Sequence, residues 1–162
     1  MDDRRLVNVV LEEKTLVRRT PEVEHERAVA IYDLLEENRF APLLESEDDH
    51  SGPFSLILRM EGTQRLVFEI RDATESRLLG NVPLALQPFR RIVKDYFMVC
   101  ETYFEAIKTA SPSRIEAIDM GRRSLHNEGA ALLRERLAER IEIDELTARR
   151  LFTLLCVLHI RG

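Results

Sequence analysis

The chain has 162 residues, of which 44% are hydrophobic and 33% charged, and a formal net charge of −5. That length fits one ordinary domain, 1–162, and that balance excludes a disordered or fibrous chain. The longest apolar run, residues 151 to 160, is interrupted by Thr153 and His159 and falls well short of the ~20 residues of a membrane helix.

The charged start, Met1-Asp2-Asp3-Arg4-Arg5, has no apolar segment of the kind a secretory signal carries, so a cytoplasmic protein is expected. Leu6 to Leu11 is rich in β-branched residues and reads as a short strand. Thr20-Pro21 is a helix start, with Thr20 as N-cap and Pro21 at the first helical position. Glu22, Glu24 and Glu26 lie where the helix dipole favours negative charge. Val23, Ala30, Ile31, Leu34 and Leu35 then form one apolar face, and Asn38 is the expected stop. Glu45 to Gly52 reads as an acidic loop. Its ligand spacing does not match a calcium loop.

Three strand-like runs follow, 54–60, 66–70 and 78–86. In the second, Leu66, Phe68 and Ile70 alternate with Glu69 and Arg71. Pro83 marks the third as an edge strand or a bulge. The group reads as an antiparallel meander with one wet face. From Pro88 the period changes to 3.6. Phe89, Ile92, Val93, Tyr96, Phe97, Cys100, Tyr103, Phe104 and Ile107 share one face of a helix over 88–108. That helix holds five of the ten aromatics, and their common face makes them core rather than a platform for stacking bases.

Ser111-Pro112 repeats the cap-and-proline device and opens a helix toward Arg140, with Asn127 able to cap a second segment. Asp144 caps a final helix whose stretch 151–158 is apolar nearly all round. Such a stretch is either buried on every side or lies in a subunit interface. Cys100 and Cys156 sit inside apolar helical patterns and read as reduced core thiols. The resulting fold is α+β, in the order β-α-β-β-β-α-α-α. An antiparallel sheet of three or four strands and one N-terminal helix precede a helical C-terminal half.

The strong catalytic signatures are absent from the sequence: there is no glycine-rich phosphate loop, no paired-histidine zinc motif and no nucleophile elbow. Glu22-x-x-His25 is half of a carboxylate-bridged metal site without its second copy, so neither metal nor cofactor is expected. One constellation remains. Asp119, Arg122, Arg123 and His126 fall at i, i+3, i+4 and i+7, a helical flank about 100° wide. Arg122 borders the apolar face, where a cation must be paired or line a cleft. Gly121 and Gly129 share that face and need a reason, either a packed neighbour or a close ligand. Asp119 with Arg123 is a structural i,i+4 pair on one reading. On the other, the arginines are forks for phosphate or carboxylate and His126 moves protons near neutral pH. Arg27, on the border of the N-terminal helix's apolar stripe, and Arg90, Arg91 and Lys94 could add positive charge.

Several stretches carry a likeness as wholes. They are Thr20 to Ala28, Pro88 to Phe97, Glu116 to Arg123, Leu125 to Gly129, and Ala148 to Thr153 with Val157-Leu158-His159. Together they resemble an uncharacterised alphaproteobacterial family that carries only a placeholder UPF designation. The resemblance implies a bacterial cytosolic protein with no assigned activity, cofactor or site residue. Two functional readings follow from the residues. One is an interaction or regulatory module, homodimeric through the 144–160 helix. The other is an enzyme or sensor that binds a small phosphorylated or carboxylated metabolite. A nucleic-acid partner is not expected. Residues 1–52 carry 7 Lys and Arg against 14 Asp and Glu, and the remainder is close to neutral, unlike a basic binding domain.

Overall fold

The computed structural model describes residues 3–12, 20–44 and 51–159; most of the acidic loop, residues 45–50, lies outside them. β1 (Leu6–Glu12) leads to α1 (Pro21–Glu36) and a short β2 (Phe40–Pro42). Then come β3 (Phe54–Glu61), β4 (Arg65–Asp72), β5 (Leu78–Ala85), α2 (Arg90–Thr109), α3 (Pro112–Leu137), β6 (Ile141–Ile143) and α4 (Glu145–His159). The class is α+β with a helical C-terminal half.

The main sheet has the order β1-β3-β4-β5. β3, β4 and β5 form the expected antiparallel meander. β1, however, pairs with β3 in parallel, Val9 opposite Leu56. The sheet is therefore mixed, which corrects the antiparallel expectation. The cause is the connection: α1 and β2 intervene between β1 and β3, giving the crossover that parallel pairing requires. Pro83 sits on the edge strand β5, where its missing N–H costs no ladder bond. β2 and β6 form a separate antiparallel pair with Phe40 opposite Ile143. Three residues show no readable period, so neither strand was expected.

The caps formed where the sequence placed them. Thr20 accepts from Val23 N at 3.3 Å, Ser111 from Arg114 N at 3.3 Å and Asp144 from Thr147 N at 2.9 Å. Asn38 does more than stop a helix. Its Nδ2 donates to Leu34 O and Leu6 O, while its Oδ1 accepts from Leu6 N at 2.7 Å. One side-chain amide thus ties the end of α1 to the start of β1. The Pro88 helix begins two residues late, because Gln87–Phe89 form a 3₁₀ turn. Ile107, expected in the core, is 49% exposed near the helix end. α3 runs unbroken through His126 and Asn127, so no second cap forms.

α4 is the central helix. It packs on α1 and α3, and α3 also packs on α2. Leu151, Phe152, Leu154, Leu155, Cys156, Val157 and Leu158 are all buried within this one chain, each contributing about 1.5–3 kcal/mol for the larger side chains. The all-round apolar stretch is thereby covered without a second copy. Gly129 has the packing reason: a Cβ there would overlap the ring of Phe152. Gly121 faces open space, and nothing in the structure explains it. Both cysteines are free and buried. Burial pushes the Cys100 thiol up to about 11 and Cys156 well above its ordinary range. Among the described residues no helix is long and apolar enough to cross a membrane.

Candidate functional site

Packing α4 between α1 and α3 leaves a cleft of about 500 Å³ along their shared edge. Each helix contributes one strip of residues at helical spacing. α1 presents Glu22, His25, Glu26 and Val29; α3 presents Arg122, Arg123 and His126; α4 presents Arg149, Arg150 and Thr153. Tyr96 and Phe104 of α2 supply aromatic wall.

On α3, the expected constellation is assembled and largely paired. Arg122 donates to Asp119 Oδ1 at 2.6 and 3.1 Å, and Arg123 meets Asp119 Oδ2 at 3.3 Å. Arg122 also lies 3.8 Å from Glu26 and stacks over the Tyr103 ring, 4.5 Å from its centroid. So Arg122 is both partnered and on the cleft wall. The two readings drawn from sequence are not exclusive for it.

His126 sits between the rings of Phe152 and Tyr96, with centroids at 5.3 and 5.4 Å. Its Nε2 is 2.7 Å from Thr153 Oγ1, and that hydroxyl donates to Arg149 O at 3.3 Å. With the hydroxyl proton so directed, Nε2–H is the donor to Oγ1. Burial, and then Arg149, Arg150 and Arg122, hold the imidazole's pKa down to about 4. Those surroundings favour the neutral ring, against the expectation of a proton carrier near neutral pH. Glu26 is shifted the other way. Burial raises it, against the opposing pull of Arg122 and His25.

The other sequence candidates lie elsewhere. Arg27 is outside the cleft lining and meets Glu24 at 3.4 Å. Helical phase explains this, since residues 22, 25, 26 and 29 face the cleft and residue 27 is turned about 100° from 26. Arg90, Arg91 and Lys94 are exposed on the first turns of α2 and do not line the cleft. Among the described residues, Arg91 pairs with Asp95, at 3.9 Å.

Sequence reasoning missed Arg149 and Arg150 as site residues. Arg150 lies 3.6 Å from Asp33. Arg149 makes no ion pair among the described residues. In both, Nε is buried with no hydrogen-bond partner among those residues. A signal was present: Arg149, Arg150 and Thr153 form the polar strip of an otherwise apolar helix. Among the described residues no three His, Cys, Asp or Glu side chains are grouped to hold a metal ion.

The model of the family described as "Uncharacterised protein family (UPF0262)" matches residues 3–161. The chain belongs to that family. A UPF0262 protein of Paramagnetospirillum magneticum is 61% identical over 158 residues, covering 98% of this chain and 97% of that one. One from Rhodospirillum rubrum is 58% identical over 161 residues, covering 99% and 96%. One from Rhizobium etli is 58% identical over 160 residues, covering 99% and 98%. The resemblance drawn from sequence stretches is thus shown. No solved structure matches the chain significantly.

Proposed function

We propose that the protein binds a small anionic metabolite, carrying a carboxylate or phosphate, in the cleft between α1, α3 and α4. The observation that carries this reading is Arg149, which lines the cleft with no ion-pair partner among the described residues; it and Arg150 also bury an Nε–H with no hydrogen-bond partner there, as Arg27 does outside the cleft. Buried donors are nearly always satisfied, and leaving one unmet costs about 1–3 kcal/mol. An anion in the cleft would not reach these sealed Nε atoms, but it would give Arg149 the charge partner that it lacks within the described residues. Arg122 and Arg123, held by Asp119, would add fixed positive potential beside it.

The reading is of a single-domain cytoplasmic protein acting on a diffusible ligand, as a sensor or an enzyme. It needs no second copy, because the apolar residues of α4 that favoured a subunit interface are covered within the chain. The test is a thermal-shift panel at constant ionic strength, comparing carboxylates and phosphates with neutral analogues of the same shape. Anions are expected to raise Tm in the native protein and to lose that effect in a variant carrying both Arg149→Met and Arg150→Met. Equal shifts for charged and neutral compounds would overturn the reading.

A further inference from the structure

We infer that the ligand of this cleft is a monocarboxylate with an apolar body, rather than a phosphate. The inference rests on the anion-binding reading and narrows it. Charge balance is the first argument. Arg122 and Arg123 share Asp119, with Glu26 close to Arg122, and Arg150 faces Asp33. Arg149 is the remaining guanidinium, without an ion-pair partner among the described residues. What the cleft offers is thus one unpaired guanidinium, which a single carboxylate would pair. A dianionic phosphate would add a second negative charge to a half-buried space already walled by Glu22 and Glu26, and like charges there are costly.

Shape is the second argument. The cleft, at about 500 Å³, is within the range of sites for small organic ligands and much larger than a bare oxyanion. Besides the arginines, its wall includes Val29, Ala30, Tyr96 and Phe104. That surface would cover a hydrocarbon or aromatic body but offers a phosphate little. Tyr96 contributes its ring rather than charge, because burial holds its hydroxyl protonated. A carboxylate also matches the planar fork of a guanidinium, taking two parallel N–H donors.

The test separates head from body with four probes: phenylacetate, acetate, 2-phenylethanol and inorganic phosphate. Titration calorimetry on the full chain measures each. Phenylacetate should bind at least tenfold more tightly than any of the other three. Arg149→Met should weaken phenylacetate at least tenfold. Val29→Asn, a neutral polar change at a position 41% exposed, should weaken phenylacetate much more than acetate. Arg91→Met, on an exposed turn away from the cleft, should change none of them. If phosphate binds as tightly as phenylacetate, the monocarboxylate inference fails and anion binding stands. Should 2-phenylethanol match phenylacetate, or should no probe bind, both fail.

Discussion

Two groups of arginines in this protein meet carboxylates in contrasting ways. On the outer face of the sheet, Arg59 and Arg71 flank Glu69. Arg71 Nε lies 2.7 Å from one carboxylate oxygen and Arg59 Nε 3.4 Å from the other. Both oxygens are used and both Nε donors are engaged. In the cleft, Asp119 likewise holds Arg122 and Arg123, but Arg149 and Arg150 are left with unmet Nε donors. The residue types are the same. The difference lies in what positions them. In the sheet, a period of 2 and the β3–β4 register place all three side chains on one face, so pairing is complete by local geometry. In the cleft the arginines come from two helices whose axes are fixed by Phe152 and its neighbours. Their spacing is set by core packing rather than by mutual pairing. Arg27 has the same unmet Nε outside the cleft, so it is the missing charge partner of Arg149, not an unmet donor alone, that reads as a site.

The largest expected effect tests whether core packing positions the cleft. Phe152 is fully buried, receives Gly129 against its ring and meets the rings of His126 and Tyr96 edge to face. Phe152→Ala should cost about 3–5 kcal/mol in denaturant unfolding, along with any ligand-induced Tm shift. A loss under about 1 kcal/mol would mean that the α3–α4 contact is not what sets the cleft.

A smaller effect tests the sheet ladder. Glu69→Gln removes the charge that both arginines answer, and should destabilise by about 1–2 kcal/mol at neutral pH. The Glu69 carboxyl is held below its ordinary range, first by the hydrogen bond from Arg71. A depressed folded pKa means stability that is present above the unfolded value, about 4.3, and is lost as pH falls through the folded one. The native protein should therefore lose stability in that acid window, and the Gln variant should lose less. Identical acid profiles would sink the ladder as a stabilising element.

His126 gives a test inside the cleft. Its folded pKa is pushed down to about 4 from 6.5, so the unfolded state binds the proton first as pH falls. Stability contributed by the neutral ring is full above about 6.5 and is lost between there and 4. The groups facing it are Arg122 on its own helix, Arg149, Arg150 and Thr153 on α4, and Tyr96 on α2. NMR titration should show no imidazole protonation down to about pH 5. A midpoint near 6.5 would show that neither the burial of the ring nor the three arginines acts on it as described. Saturation with a carboxylate should move the midpoint upward, because the anion offsets those arginines.

The fold was legible wherever a period and a cap coincided. Thr20, Ser111 and Asp144 all cap, and of the face that its spacing marked α2 buries Val93, Tyr96 and Cys100 and half-buries Ile92, Phe97, Tyr103 and Phe104. Parallel pairing of β1 was not legible, since Val9 meets Leu56 across a long connection that leaves no local trace. Ile107 was misplaced because a helix's last turn can outrun the core it faces. At the site, the α3 half was legible from the i, i+3, i+4, i+7 spacing of Asp119, Arg122, Arg123 and His126. The α4 half was not. Arg149 and Arg150 were overshadowed by the apolar run that follows them, and Arg27 was preferred although its helical phase turns it away.

The smallest expected effect on stability is the one that separates the two arginine groups most directly. If Arg149 is present for a ligand, it does little for the fold. Arg149→Met keeps the length and apolar stem of the side chain, and removes a buried donor with no hydrogen-bond partner among the described residues. Replacing such a group by an apolar one is near neutral or stabilising. Stability should change by less than about 0.5 kcal/mol in either direction. Arg122→Met is the contrast within the same cleft. It takes from Asp119 its shortest partner, at 2.6 Å, and leaves Glu26 half-buried without its nearby guanidinium. That loss should cost about 1–3 kcal/mol. Equal costs for the two variants would make Arg149 a structural cation like Arg59 and Arg71, and the distinction between ladder and cleft would collapse. A near-silent Arg149→Met that also abolishes carboxylate binding would place the residue's purpose outside the folded chain, in what the cleft holds.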